Sequence, residues 1–175
     1  DTKSICDLGV GTGNFALAVR ERLPDVKVYG RDLQPELLEI ASGKISGEVY
    51  LECRDSYELP FPDAEYFVTS LASHHLSDLD REEKLLSVAR AGRGLVNFDF
   101  ILSGGKGKEE GIVHSLKHLV GVLSRHELKE AVQTMRRKDN PISLEEHERI
   151  FSSAGFEFNL LHNEFPFAAY SVMKL

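Results

Sequence analysis

Short apolar runs alternate with helix-forming segments along the first hundred or so residues of the chain. Turn residues, mainly Gly, Pro and Asp, separate the two kinds of segment. The pattern predicts five strands, at residues 3–8, 27–32, 49–52, 66–70 and 95–101. It predicts helices between them, at residues 14–23, 36–42 and 80–90. Strands that alternate with helices at such short spacing are typical of a parallel sheet with crossover helices.

The pattern changes after the fifth strand. A glycine-rich loop comes first, at residues 103–108, and three helices follow, at residues 111–123, 125–137 and 143–154. Ser124 and Ser143 each precede a Glu by three residues, the spacing of a capping box, and so mark the starts of the last two helices. Gly155 suits the end of the third helix.

Two further strands are predicted at the end of the chain, at residues 156–161 and 165–173. The turn predicted between them, residues 162–164, is so short that these two strands must be antiparallel. The expected fold class is therefore α/β. It is a doubly wound, mostly parallel, seven-stranded sheet with the last strand antiparallel and helices on both faces. Residues 1–175 are expected to form one domain.

The composition of the chain limits the kinds of partner that the protein is expected to bind. The net charge of −7 gives no general attraction to nucleic acid or to an anionic membrane. No apolar run approaches the length of a membrane span and no signal peptide is visible, so a cytoplasmic location is expected. The chain begins at Asp1 and not at Met, which is consistent with residues missing upstream.

Cysteine and histidine positions give no sign of a metal centre. Cys6 and Cys53 both lie in apolar, strand-like runs, so both are predicted to be core residues. His114 and His118 are one helical turn apart, but no carboxylate follows at matching spacing. The sequence therefore predicts no metal site.

Three alternate glycines lie between the first strand and the first helix. Gly9, Gly11 and Gly13 follow Asp7, and glycine at such a turn allows a ligand to approach bare backbone. Free N–H groups at the start of the helix favour a negatively charged ligand group. The dinucleotide fingerprint needs a third glycine or alanine where Asn14 stands, so the spacing argues against NAD.

Polar residues follow the other predicted strands at the points where they end. In an open parallel sheet ligands bind at the carboxyl ends of the strands. Asp32 ends the second strand and can accept hydrogen bonds from a ribose diol. Asp55 and Ser56 follow the third strand and suit an adenine amino group, whereas residues 70–76, including His74 and His75, follow the fourth.

These segments together resemble the class I methyltransferases that use S-adenosylmethionine. Asp7 through Gly13 is similar to motif I and residues 31–41 to motif II. Residues 59–76 are similar to motif IV of the small-molecule enzymes akin to those of ubiquinone and menaquinone biosynthesis. The resemblance resumes from Ser143 to the end and implies that the seventh strand lies between the fifth and the sixth.

The resemblance also implies a role for each matching residue. The three glycines would shape the loop around the methionine part of the cofactor, and Asp7 would organise that loop and meet the ligand amino group. Asp32 would bind the ribose, Asp55 and Ser56 the adenine, and the backbone near Leu71 would line the sulfonium. The implied cofactor-binding residues are thus Asp7, Gly9, Gly11, Gly13, Asp32, Leu33, Asp55, Ser56 and Leu71.

Some of these residues also have simpler, purely structural interpretations. Asp32 could cap the helix that Pro35 begins, and Asp55 could simply start a turn. A methyl on a sulfonium is already activated, so a general base is needed only where the acceptor must lose a proton. His74 and His75 are the candidates for that base, although packing or loop capping explains either of them as well.

We therefore expect a methyltransferase that moves a methyl group from S-adenosylmethionine to a small-molecule acceptor and leaves S-adenosylhomocysteine. Two alternatives stay open. One is a non-catalytic interaction module on the same fold, and the other is a nicotinamide-dependent oxidoreductase, against which Asn14 counts. No nucleic-acid or membrane partner is expected.

The helical insert at about residues 103–142 falls outside the resemblance. Its glycine-rich loop is suited to hinge a lid over the acceptor. Its apolar stripe, Leu116, Leu119, Val120 and Leu123, equally suits packing on the sheet or a homodimer contact. His118 lies in the same insert and is placed to face an active site.

Overall fold

The computed structural model describes residues 2–102, 107–119 and 124–175, and for residues 117–119 it describes the backbone only. Within these ranges the strands are β1 (Ser4–Leu8), β2 (Lys27–Asp32), β3 (Val49–Cys53), β4 (Tyr66–Ser70), β5 (Gly94–Phe100), β6 (Phe156–Glu164) and β7 (Phe167–Lys174). The helices are α1 (Asn14–Arg22), α2 (Pro35–Lys44), α3 (Arg81–Ala91), α4 (Lys108–Leu119), α5 (Arg125–Lys138) and α6 (Leu144–Ser153).

The strands form one sheet in the order β3-β2-β1-β4-β5-β7-β6. The first five are parallel, and β7 pairs antiparallel with both β5 and β6. The predicted fold class is therefore confirmed, including the place of the seventh strand between the fifth and sixth. Since β1 lies in the middle of the five parallel strands, between β2 and β4, the carboxyl ends of these three strands meet at one edge.

Helices cover both faces of this sheet and each face has its own core. One core packs α3 and α6 against the sheet around Phe67, Leu85, Phe151 and Tyr170, each of which is fully buried. The other packs α1 and α2 against the opposite face around Val28 and Ala41. Burying one large apolar side chain stabilises a fold by about 1.5–3 kcal/mol, so these layers fix the strand ends firmly.

The predicted helix starts at Ser124 and Ser143 are confirmed. The Ser124 hydroxyl accepts a hydrogen bond from the Glu127 N–H and the Glu127 carboxylate accepts one from the Ser124 N–H, which completes a capping box. The Ser143 hydroxyl accepts from the Glu146 N–H. Both helices therefore begin where their sequence signals place them.

Two local predictions were wrong. Residues 162–164, predicted as a turn, extend β6, and the chain turns at Phe165 and Pro166. Most side chains of β6 are exposed at this edge of the sheet, so no apolar alternation marks its true end. Cys53 is exposed because β3 is the opposite edge strand, whereas Cys6 on central β1 is buried as predicted.

Among the described residues, no helix is both long and apolar enough to cross a membrane. Of the apolar stripe predicted in the insert, only the Leu116 side chain is described, and it is half-buried. Leu119, Val120 and Leu123 lie outside the described side chains, as does His118. The stripe as a whole stays a prediction.

Candidate active site

A cavity of about 570 Å³ opens at the carboxyl ends of β1, β2 and β4. Eight of the nine residues predicted to bind cofactor line it: Asp7, Gly9, Gly11, Asp32, Leu33, Asp55, Ser56 and Leu71. The strand ends bring these residues together from four separate stretches of the chain. The ninth, Gly13, is not in the cavity wall.

The three glycines of the loop have different surroundings, which are described by the atoms that an added Cβ would meet. At Gly9, with φ of 78°, a Cβ atom would lie 2.7 Å from the Cβ of Ala72. At Gly13, also with φ of 78°, it would lie 2.8 Å from the Ile45 side chain, so this glycine lets α1 approach α2. At Gly11 the space is open, and the bare backbone there faces the cavity.

Asp7 is a buried carboxyl group at the bottom of this cavity. It is 1% exposed, and within the described part of the chain neither of its oxygens has a hydrogen-bond partner. Burial, with a smaller contribution from the Asp32 charge, raises the pKa of Asp7 to about 7. Because an unpaired buried carboxyl group is costly, Asp7 is suited to a ligand that donates hydrogen bonds or carries positive charge.

Asp32 ties the end of β2 to the glycine loop. One carboxylate oxygen accepts a hydrogen bond from the Gly11 N–H at 2.9 Å, and the other accepts one from the Gln34 N–H at 3.0 Å. Each carboxylate oxygen can accept a second bond, so two acceptor positions remain toward the cavity. Gln34, and not Asp32, is the N-cap residue of α2.

Asp55 and Ser56 form a turn beside the cavity. One Asp55 oxygen accepts a hydrogen bond from the Tyr57 N–H at 2.9 Å, and the other lies 3.8 Å from the Lys84 ammonium. The Ser56 hydroxyl donates to the Arg31 carbonyl oxygen at 3.3 Å. Asp55 therefore begins a turn and also lies in the cavity wall, and its role toward an adenine stays a prediction.

Leu71 separates this cavity from a second one. Its φ of 55° is the one positive value at a non-glycine residue in the described ranges, and its N–H donates to the Phe98 carbonyl oxygen at 2.8 Å. A left-handed leucine costs about 1–2 kcal/mol, and such strain clusters at functional sites. Leu71 lines both cavities, as does His75.

The second cavity, of about 580 Å³, lies between the end of the sheet and α5. Its wall is mainly apolar and includes Phe100, Phe167, Ala131 and Met135. The helical insert contributes a large part of it. Its polar groups include the side chains of His74, His75, Ser115, Glu130, Thr134 and Asp139.

His74 forms a pair with Asp99 at the end of β5. The His74 Nδ1 atom is hydrogen-bonded to one Asp99 oxygen, and its backbone N–H donates to the other at 2.9 Å. Burial opposes charge on the His74 ring, but the hydrogen bond and negative charge of Asp99 outweigh it and raise the His74 pKa. The pKa of Asp99 is lowered by His74 and by the Ser73 hydroxyl, against its own burial.

Residues 5–93 match the family described as methyltransferase domain, which is just over half of the 175 residues. The chain belongs to this methyltransferase family. The class I methyltransferase predicted from the sequence is confirmed by this match and by the fold.

Curated relatives of this methyltransferase domain carry related names. The demethylmenaquinone methyltransferase of Thermus thermophilus is 36% identical over 104 residues, which cover 56% of this chain and 47% of that protein. The enzyme of the same name from Deinococcus radiodurans is 33% identical over 73 residues, covering 40% and 30%. The matched region thus spans less than half the length of these relatives.

Solved structures show the same fold at low identity. Human N-acetylserotonin methyltransferase in complex with S-adenosylmethionine (SAM) has a TM-score of 0.68 at 18% identity, over 99% of this chain and 48% of that one. An O-methyltransferase family 2 protein from Planctomyces limnophilus, in complex with apigenin, has a TM-score of 0.73 at 17% identity, over 99% and 51%.

Asp99 and Asp139 are the site residues that sequence reasoning missed in this methyltransferase domain. Asp99 lies within a strand, two residues after Asn97 in an otherwise apolar run, and such buried polar residues are a signal that was available. Asp139 follows α5, and nothing in its local sequence places it near His74 and His75. Its position depends on how the insert folds back over the sheet.

Proposed function

We propose that this methyltransferase domain binds SAM in the first cavity and transfers its methyl group to a small molecule in the second. The observation that carries the proposal is the junction of the two cavities. They meet at Leu71 and His75, beside the His74–Asp99 pair. A donor and an acceptor bound on either side of Leu71 would be close neighbours, and proximity with alignment supplies much of the rate of such a transfer.

The residues of the first cavity fit this cofactor. The unpaired carboxyl group of Asp7 suits the amino group of the methionine part, and the open space at Gly11 allows close approach to the backbone. The remaining acceptor positions of Asp32 suit the ribose hydroxyls, and Asp55 with Ser56 suits the adenine. When bound, SAM supplies a methyl group already activated on a sulfonium.

His74 is the proposed general base where the acceptor must lose a proton. Asp99 holds the Nδ1 side of the ring, so the Nε2 atom is the side left toward Asp139 in the second cavity. Nε2 would take the proton from an acceptor hydroxyl, and the negative charge of Asp99 would stabilise the imidazolium that forms. His75 is half exposed and would help to position the acceptor.

The acceptor that fits the second cavity is apolar with one proton-bearing group. The aromatic walls of Phe100 and Phe167 suit a ring, and the polar edge at His74 suits its hydroxyl. The parts of the insert that line this cavity, in α4, α5 and Asp139, would then cover the acceptor, in support of the lid interpretation. A homodimer contact, a cytoplasmic location and the lack of a nucleic-acid partner stay predictions.

Calorimetry and methyl-transfer assays test the proposal. S-adenosylhomocysteine should bind with measurable heat, whereas NAD should not, and binding of NAD alone would refute the cofactor assignment. Tritium from methyl-labelled SAM should pass to at least one member of a panel of phenols, flavones and naphthoquinols. His74→Gln should lower kcat by about 10²–10⁴-fold, since general base catalysis contributes that much, while S-adenosylhomocysteine affinity is retained.

A further inference from the structure

Three donor atoms converge in the wall of the second cavity. His74, His75 and Asp139 each contribute one of them, and these atoms lie within 4.8 Å of one another. The Asp139 oxygen is 3.8 Å from the His74 nitrogen and 3.3 Å from the His75 nitrogen. Two of these residues lie in a short 3-10 turn after β4, Ser73–His75, and the third lies in the helical insert.

The Asp139 carboxylate faces the Nε2 side of His74, because Asp99 is hydrogen-bonded to the Nδ1 side of that ring. An acceptor nitrogen facing a carboxylate oxygen is unfavourable unless a proton or a cation lies between them. Asp139 is only 5% exposed, so water screens this contact poorly.

The surroundings of His74 match those of a metal-ligating histidine. Such a histidine almost always donates its other ring N–H to a carboxylate or carbonyl, which fixes the ring and strengthens the ligand. Asp99 does this for His74, and Asp99 is itself held by the Ser73 hydroxyl and the Phe100 N–H. The supporting shell of a metal ligand is thus present on the described residues.

We propose that His74, His75 and Asp139 bind a divalent transition-metal ion of the zinc, cobalt or nickel type. Two imidazoles and one carboxylate are a donor set that such ions prefer, and three protein ligands leave positions open toward the cavity. Ligands around zinc are about 3.3 Å apart, given bonds of about 2.0 Å. The distance of 3.3 Å between Asp139 and His75 already matches this spacing, and the distance of 3.8 Å between Asp139 and His74 is wider.

Two nearby cations do not occupy the proposed site. The Lys108 ammonium donates to the carbonyl oxygens of Arg136 and Asp139, and the Arg81 guanidinium donates to that of Asn140. Arg81 also donates to the Asp78 carboxylate, so both cations have other partners and leave the Asp139 carboxylate to the histidines. A metal bound there would link the insert to the turn after β4. It would also occupy the Nε2 lone pair that takes the acceptor proton in the proposed transfer, so metal binding and general base catalysis by His74 exclude each other.

Metal titration of the chelator-treated protein tests the site without any methyl acceptor. Co²⁺ should bind at one equivalent with visible absorption bands, and Zn²⁺ should displace it. His75→Ala and Asp139→Asn should each weaken Co²⁺ binding by more than about tenfold, the loss that supporting residues alone already cause. His126→Ala is the matched control, because His126 is an exposed histidine that contacts Glu130 on α5.

Two results would overturn the metal site. One is the lack of saturable Co²⁺ or Zn²⁺ binding at one equivalent by the folded wild-type protein. The other is a His75→Ala variant that binds Co²⁺ as tightly as His126→Ala does, with unchanged circular dichroism. Neither result bears on S-adenosylhomocysteine binding, which is measured separately, so failure of the site and failure of the proposed methyl transfer are distinguishable.

Discussion

At the scale of single residues, the chain keeps several ionisable groups out of water, and each has a distinct cause for its shifted pKa. Asp7 is unpaired at the bottom of the first cavity, and His147 is buried against Tyr170 in the core. Asp99 is paired with His74. Burial dominates at Asp7 and His147, which prefer their neutral forms, whereas the His74–Asp99 pair prefers charge.

Cofactor binding should release a proton from Asp7. Its pKa of about 7 means that about half of the molecules carry the proton at pH 7, and an ammonium group beside it would favour the charged form. Calorimetry with S-adenosylhomocysteine at pH 7, in buffers of different ionisation enthalpy, should show release of about half a proton. Asp7→Asn should abolish the buffer dependence, and the same dependence in that variant would assign the proton to another group.

His147 should make the fold less stable in mild acid. Burial lowers its pKa to about 4, below that of a free histidine, so the unfolded chain takes up the proton first. The contribution of His147 to the free energy of unfolding should therefore fall by about 3 kcal/mol as the pH drops from about 6.5 toward 4. Asp7 contributes with the opposite sign over that range, since its folded pKa is raised.

The comparison of variants isolates the histidine. Urea unfolding gives the free energy at pH 7 minus that at pH 4.5, and this difference, taken with its sign, should be smaller for His147→Gln than for the wild type, whatever the absolute stability of the variant. An equal difference in both proteins would show that His147 is not the group that titrates.

At the scale of elements, the glycine loop forms part of the first cavity and the helical insert forms part of the second. The loop is held by tight contacts on both sides, at Ala72 and at Ile45. The insert is less embedded, since no residue of α5 is fully buried. The first cavity is therefore built into the sheet, whereas the second depends on how α4 and α5 pack over it.

Gly9→Ala should destabilise the fold and weaken cofactor binding. The added methyl group would lie 2.7 Å from the Ala72 side chain, at a φ of 78°, which alone costs about 1–2 kcal/mol for alanine. Gly43→Ala is the matched control, because a Cβ there meets nothing within 4 Å and alanine favours the helix. Thermal unfolding should show a loss for the first variant and a gain of up to about 1 kcal/mol for the second.

Charge placed in the second cavity should affect the acceptor and not the cofactor. Met135 lines that cavity, whereas Gln133 on the same helix is exposed and lies outside its wall. Met135→Glu should raise the KM for a phenolic acceptor, because apolar binding of the ring is lost, with S-adenosylhomocysteine affinity unchanged. Gln133→Glu adds the same charge and should change neither quantity. Equal effects of the two variants would remove α5 from acceptor binding.

The sequence predicts those site residues whose position follows from local pattern, and it misses contacts that depend on tertiary structure. Asp32, Asp55 and Ser56 could be found because position at the end of a parallel strand is readable from local pattern. The contact between Asp32 and Gly11 could not, since it depends on the twist that brings two strand ends together. Asp139 could not be found either, because its approach to His75 depends on the tertiary path of the insert.

At the scale of the whole molecule, the order of the sheet decides where both cavities lie. The five parallel strands place their carboxyl ends at one edge of the sheet. The glycine loop follows β1, which is the middle strand of these five. This order was predictable once the strands were found and the family resemblance was recognised. The extent of β6 was not, because an exposed edge strand carries no buried face to mark it.

The reversed direction of β7 has a consequence for the order in which the two cavities can form. Its first residue, Phe167, pairs with Phe100 at the end of β5 and lines the second cavity. A growing chain emerges from its amino terminus, so β1 to β4 and the first cavity are available for folding early. The second cavity lacks one wall until β7 has been synthesised. On the proposed function, a newly made molecule would thus gain the place for its methyl donor before the place for its acceptor.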